Sequence, residues 1–178
     1  MNPRREMTAK EHGELLERDP KYQAMMAEKA KRRAELEAMF DADEQPLVAA
    51  LTSVGQAVTS VWDFVNTSAS YPDAIPVLAE HLQRPYHFRT REGIARALSV
   101  KEARGPAARV VLKELKKMTD ARDAGEGAYR FALANALVTI GDSAMQEDVV
   151  QMINDPRFKD VHIELKRVIK AIGKRKPT

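Results

Sequence analysis

The side chains best suited to chemistry are thinly spread along this chain and form no catalytic constellation. Histidines stand at His12, His81, His87 and His162. No two of them lie four residues apart beside a carboxylate, the spacing that a zinc site on one helix face requires. Cysteine is absent, which excludes disulfides and thiolate metal sites. Ser60, Ser99 and Ser143 sit in no nucleophile elbow, and no glycine-rich run has the form of a phosphate loop. Gly125-Glu126-Gly127 lacks the ligand spacing of a calcium loop and reads as a flexible loop with acidic neighbours. These residues predict no catalytic group, no cofactor and no metal: a protein that is not an enzyme.

Charge says more. The chain carries 29 Lys/Arg and 26 Asp/Glu, a formal net charge of +3, yet the charges alternate in blocks. Residues 84–117 are net +7 and residues 159–178 net +5, whereas 1–46, 47–83 and 118–158 are net −2, −3 and −4. Within the first basic block, Arg109, Lys113, Lys116 and Lys117 fall at i, i+4, i+7 and i+8, one face of a helix. Arg84, His87, Arg89, Arg96, Lys101 and Arg104 flank them, with Tyr86 and Phe88 interleaved. A cationic stripe of this kind attracts phosphates or an acidic protein surface. We read Arg84, Arg89, Arg109, Lys113, Lys116 and Lys117 as a binding surface for an acidic protein, with nucleic acid as the alternative partner. The plain alternative is a solvated helix face partly neutralised by Glu114. Aromatic residues make up 6% of the chain, which weighs against base stacking and sequence-specific RNA recognition.

The elements that position this stripe are helical throughout. Arg91–Leu98, Arg130–Leu137 and His162–Ile169 align on one another, with apolar residues at i, i+3, i+4 and i+7. The first two share Arg, an aliphatic, Ala and Ala-Leu at an offset of 39; the second and third align at 32, and both continue to Ile-Gly. A second set of helices alternates with these: Asp73–Leu82 with Asp73 as N-cap, Ala107–Leu115 behind Gly105-Pro106, and Met145–Ile153 ended by Asn154-Asp155-Pro156. No period-two run appears.

This alternation resembles the short HEAT-like repeats of the phycobilisome-lyase type over residues 56–173. The resemblance implies helical pairs at 56–83, 89–118 and 128–153 and a closing helix at 160–173. It therefore implies an all-α, HEAT-like α-solenoid, a right-handed superhelix of antiparallel helix pairs in which the basic helix lines the concave face. The loop Thr119–Gly127 and His162, standing where the other units have Arg, depart from the pattern. By the same resemblance Arg91 and Arg130 make polar contacts between successive repeats. Trp62-Asp63 invites comparison with HEAT-like alkyl-base DNA glycosylases, but adjacent helical residues point about 100° apart, and core packing is the better reading of Trp62.

Upstream, residues 1–45 read as a charged helical N-terminal extension and 46–178 as the HEAT-like repeat domain. Thr8 and Glu11 fit a capping box, Asp19-Pro20 an N-cap and first helical residue, and Leu47–Val54 a separate short helix. The extension is compatible with packing on the repeats, pairing with another chain, or staying unpacked. No apolar run spans a bilayer and no signal peptide opens the chain, which places it in the cytoplasm with no membrane partner. The expected function is a non-enzymatic protein-binding scaffold or adaptor. Its size fits a small bacterial immunity or regulatory protein by analogy, and a binder of the DNA backbone is the alternative.

Overall fold

A computed structural model describes residues 8, 13, 17–118 and 123–175. Among them are seven α-helices, short 3-10 turns and no strand. The chain divides into two compact units, Met1–Met39 and Phe40–Thr178.

Helix α1, Pro20–Ser53, opens as its sequence predicts. Asp19 caps it by accepting from the Lys21 amide at 2.8 Å, and Pro20 takes the first helical position. Glu11 of the expected Thr8–Glu11 capping box lies outside the described residues. In the first unit the helix carries Glu28–Arg32, Lys31–Glu35 and Arg33–Glu37 ion pairs at i, i+4, while Met25, Met26, Leu36 and Met39 are exposed. Leu47–Val54 is not a separate helix. The same helix runs through Pro46, although proline removes one backbone bond and costs about 3 kcal/mol in a helix interior. Side chains on both sides of Pro46 offset that cost: Asp43 and Glu44 bind neighbouring elements, and Leu47 and Leu51 are fully buried.

The second unit continues with α2 (Ala74–His81), α3 (Phe88–Ala97), α4 (Pro106–Lys117), α5 (Ala124–Ile140), α6 (Gln146–Asn154) and α7 (His162–Gly173). Helices α3 and α7 both pack along α5. Helix α4 packs on α5, α6 on α7, and α2 against α3 and α4. One continuous core joins them, with Leu78, Ile94, Leu98, Leu115, Leu133, Leu137, Leu165 and Val168 fully buried.

Two further expectations need correction. The first implied helical pair, 56–83, has only one α-helix. Its other member is a 3-10 turn, Val61–Phe64, held by a Ser60–Asp63 capping box. Trp62 in that turn packs against the core, as expected, and is half-buried there. Gly93 of α3 lies so close to the turn that a Cβ there would collide with the Val61 side chain. The second correction concerns the expected flexible loop. Gly125–Gly127 forms the first turn of α5, capped by Asp123 accepting from the Glu126 amide at 2.9 Å. Residues 119–122 of that loop lie outside the described residues.

Candidate interaction surface

Helix α4 places the basic stripe. Ala108, Val111, Leu112 and Leu115 turn into the core, which leaves Arg109, Lys113, Lys116 and Lys117 exposed on the other side. Gly105 at φ 86° takes a left-handed conformation that suits glycine, and it aims the chain into Pro106 at the helix start.

The six predicted surface residues differ in what they already hold. Lys116 pairs with Asp148 of α6, and Lys117 pairs with Glu114, whose side chain is 1% exposed. Arg84 pairs with Glu80 one turn back on α2. Arg89 lies over the Phe40 ring at 5.0 Å and the Trp62 ring at 5.7 Å, so it faces α1 and the 3-10 turn. Arg89, Arg109 and Lys113, among these six, have no ion-pair partner among the described residues, and of the three only Arg89 is engaged on aromatic rings. The structure brings Arg109, Lys113, Lys116 and Lys117 together on α4 and holds Arg84 and Arg89 on other elements.

A groove of about 360 Å³ lies between α2 and α4, and Arg109 and Lys113 follow its lining residues Pro106 and Val110 by three positions, about one turn, on α4. Pro72, Ile75, Pro76 and Ala79 form one wall, Pro106, Ala107 and Val110 the other, and Glu102 and Arg104 stand at its rim. Glu102 is engaged by the Ser70 hydroxyl at 3.3 Å, and the Arg104 guanidinium donates to the Thr139 carbonyl at 3.4 Å. Sequence reasoning missed this groove because Ile75, Ala79 and Val110 carry the same apolar stripe as core residues. The signal available was the set of three prolines, Pro72, Pro76 and Pro106, around two helix starts.

A second row of cations runs along the outer side of α7. Lys166, Arg167, Lys170 and Lys174 are exposed and have no ion-pair partner among the described residues, and Ile163 on the same side is 72% exposed. Arg175 differs. Its guanidinium donates to the carbonyls of Val138 at 2.6 Å, Thr139 at 2.9 Å and Gly141, closing the end of α5, and burial lowers its pKa.

The buried polar groups serve helix-to-helix contacts. Arg91 pairs with Glu114 of α4 at 2.8 Å and lies over the Tyr129 ring of α5 at 4.5 Å. Arg130, 1% exposed, pairs with Asp160 at 3.0 Å, donates to the Arg157 carbonyl and lies over the Phe158 ring at 4.9 Å. Each arginine thus reaches forward to elements that follow it in the chain. Burial raises the Tyr129 pKa, and the adjacent Arg91 guanidinium offsets only part of that rise. Burial lowers the pKa of His81, whose Nδ1 meets the Tyr86 hydroxyl at 2.7 Å. His162, the third of the aligned positions, holds a buried Nε2 with no hydrogen-bond partner among the described residues. Among the described residues no three His, Asp or Glu side chains group to hold a metal ion, and no helix is long and apolar enough to cross a membrane.

Compared with known proteins, the chain matches no family model, no curated protein and no solved structure.

Proposed function

We propose that this chain is a non-enzymatic module that binds another protein, built as a short HEAT-like stack of helix pairs. Two features support the architecture. Successive helices pack in chain order along α3, α5 and α7, and Arg91 and Arg130 repeat the same forward-reaching contact. In such a stack no pair buries its apolar face alone, so neighbours supply the core and leave an outer surface for recognition. The observation that carries the binding reading is on α4. Two cations without an ion-pair partner among the described residues, Arg109 and Lys113, stand on α4 one turn from the apolar groove residues Pro106 and Val110. Apolar contact area with a few charges at its edge is the composition of a protein interface.

A nucleic-acid backbone is the second reading, and the row Lys166, Arg167, Lys170 and Lys174 on α7 favours it. One titration separates the two: a labelled mixed-sequence duplex added at low salt and at physiological salt. Phosphate contacts lose affinity steeply as salt rises. The protein-binding reading expects no duplex binding, or binding at low salt alone. Duplex binding that persists at physiological salt and falls on charge reversal of Lys166 and Lys170 overturns it.

A further inference from the structure

We infer that the groove between α2 and α4 receives a peptide segment of the partner protein, with apolar side chains seated in the groove and carboxylates set against Arg109 and Lys113. This rests on the protein-binding reading above and names the chemistry of the partner.

Four observations carry it. The groove walls are apolar: Ile75, Ala79 and Ala107 are mostly buried, and Val110 is half-buried. Its volume of about 360 Å³ is at the small end of the ligand-site range, roughly 300–1,000 Å³, enough for a few side chains.

Second, the groove is held open by rigid parts. Pro72, Pro76 and Pro106 fix their own φ angles, and Pro76 and Pro106 sit in the first turns of α2 and α4. A slot formed before its ligand arrives loses little to ordering on binding.

Third, the charge around the groove is net positive. Of the two charged residues that line the groove, Glu102 accepts only from the Ser70 hydroxyl and Arg104 donates to the Thr139 carbonyl, so their charges offset each other, whereas Glu80 is paired with Arg84 and Arg109 and Lys113 have no ion-pair partner among the described residues. A carboxylate beside them gains attraction without displacing an existing ion pair, and a basic partner is repelled.

Fourth, the layout requires a chain. Pro106, Arg109, Val110 and Lys113 follow i, i+3, i+4 and i+7, one outward stripe of α4. Pro106 and Val110 line the groove, while Lys113 stands about 4.5 Å further along the helix axis than Val110. A ligand that fills the groove and also meets Lys113 continues past the groove, as a peptide does and a compact small molecule does not.

The test is selection from a random peptide library displayed on phage against the full chain, followed by affinity measurement on the enriched peptides with three variants. Val110→Asp places a charge in the groove. Arg109→Glu and Lys113→Glu change exposed side chains that hold no ion pair, so the fold is retained even if Val110→Asp disturbs it. The expected result is enriched peptides that combine apolar anchors with Asp or Glu. These lose binding to Val110→Asp and weaken about tenfold or more with Arg109→Glu/Lys113→Glu, and exchanging their acids for Lys restores affinity for that double variant. No enrichment, no acidic excess, or equal binding to the double variant overturns the proposal. Peptides that depend on Arg109 and Lys113 but ignore Val110→Asp overturn the groove while leaving the protein-binding reading intact. Duplex binding at physiological salt removes the broader reading instead.

Discussion

Replacing Glu44 by Ala tests how the end of α1 is held within the second unit. The Glu44 carboxylate is 7% exposed and accepts from the Ser60 hydroxyl at 3.0 Å and from the Val61 amide. Val61 is fully buried, so in Glu44→Ala its N–H has no replacement from water. Leaving a buried donor unmet costs about 1–3 kcal/mol, and losing the hydrogen bonds to a charged acceptor brings the expected total to about 3 kcal/mol. Glu44→Gln keeps an acceptor oxygen and loses about 1 kcal/mol at most near neutral pH. The pH dependence separates the two variants further. Burial raises the Glu44 pKa, and its hydrogen bonds to Val61 and Ser60 reduce that rise without cancelling it. The folded protein therefore holds the Glu44 proton more tightly than the unfolded chain does. Its contribution to stability is largest at acid pH and declines as pH climbs from the ordinary glutamate value, about 4.3, through the raised folded value. The gap between wild type and Glu44→Gln should accordingly move in favour of Gln between mildly acid and neutral pH. Urea denaturation followed by far-UV circular dichroism, at several pH values and with m compared across variants, reads both effects. A Glu44→Ala midpoint equal to that of wild type at equal m refutes the argument, because the Val61 amide would then not depend on Glu44.

Two further substitutions probe the interior by the same denaturation assay. Arg91→Ala should cost about 3 kcal/mol, because Glu114 at 1% exposure keeps only Lys117; Arg130→Ala should cost less, since Asp160 at 46% exposure is rehydrated. The reverse order would refute that account of the two arginines. Gly93→Ala should destabilise by about 1–3 kcal/mol through overpacking against Val61 and Trp62, and a neutral or stabilising result would show that the 3-10 turn yields at low cost.

What could be read from the sequence follows from the range over which its signals act. Helices α2 to α7 announce themselves locally: an apolar stripe at i, i+3, i+4 and i+7 bounded by Asp73, Gly105-Pro106, Gly141-Asp142 or Asp155-Pro156. Features that depend on distant partners were not legible. Pro46 looks like a helix end until Asp43 is seen holding Thr90 and the His87 amide, and Glu44 holding Val61. Those partners lie between 17 and 47 residues away, beyond any local pattern. Gly125 and Gly127 resemble a loop because each glycine costs a helix about 1 kcal/mol, while the opposing terms, the Asp123 cap and the burial of Tyr129, appear only in the fold. The basic surface divides on the same principle. The stripe on α4 is plain from spacing alone, yet whether a lysine is available depends on where acids from other elements arrive. Asp148 comes from α6 to Lys116, and Glu114 turns inward between Arg91 and Lys117. On α4, Arg109 and Lys113 are distinguished from Lys116 and Lys117 only by what does not reach them, and under the proposed protein-binding reading a partner's carboxylates meet them without displacing an existing ion pair.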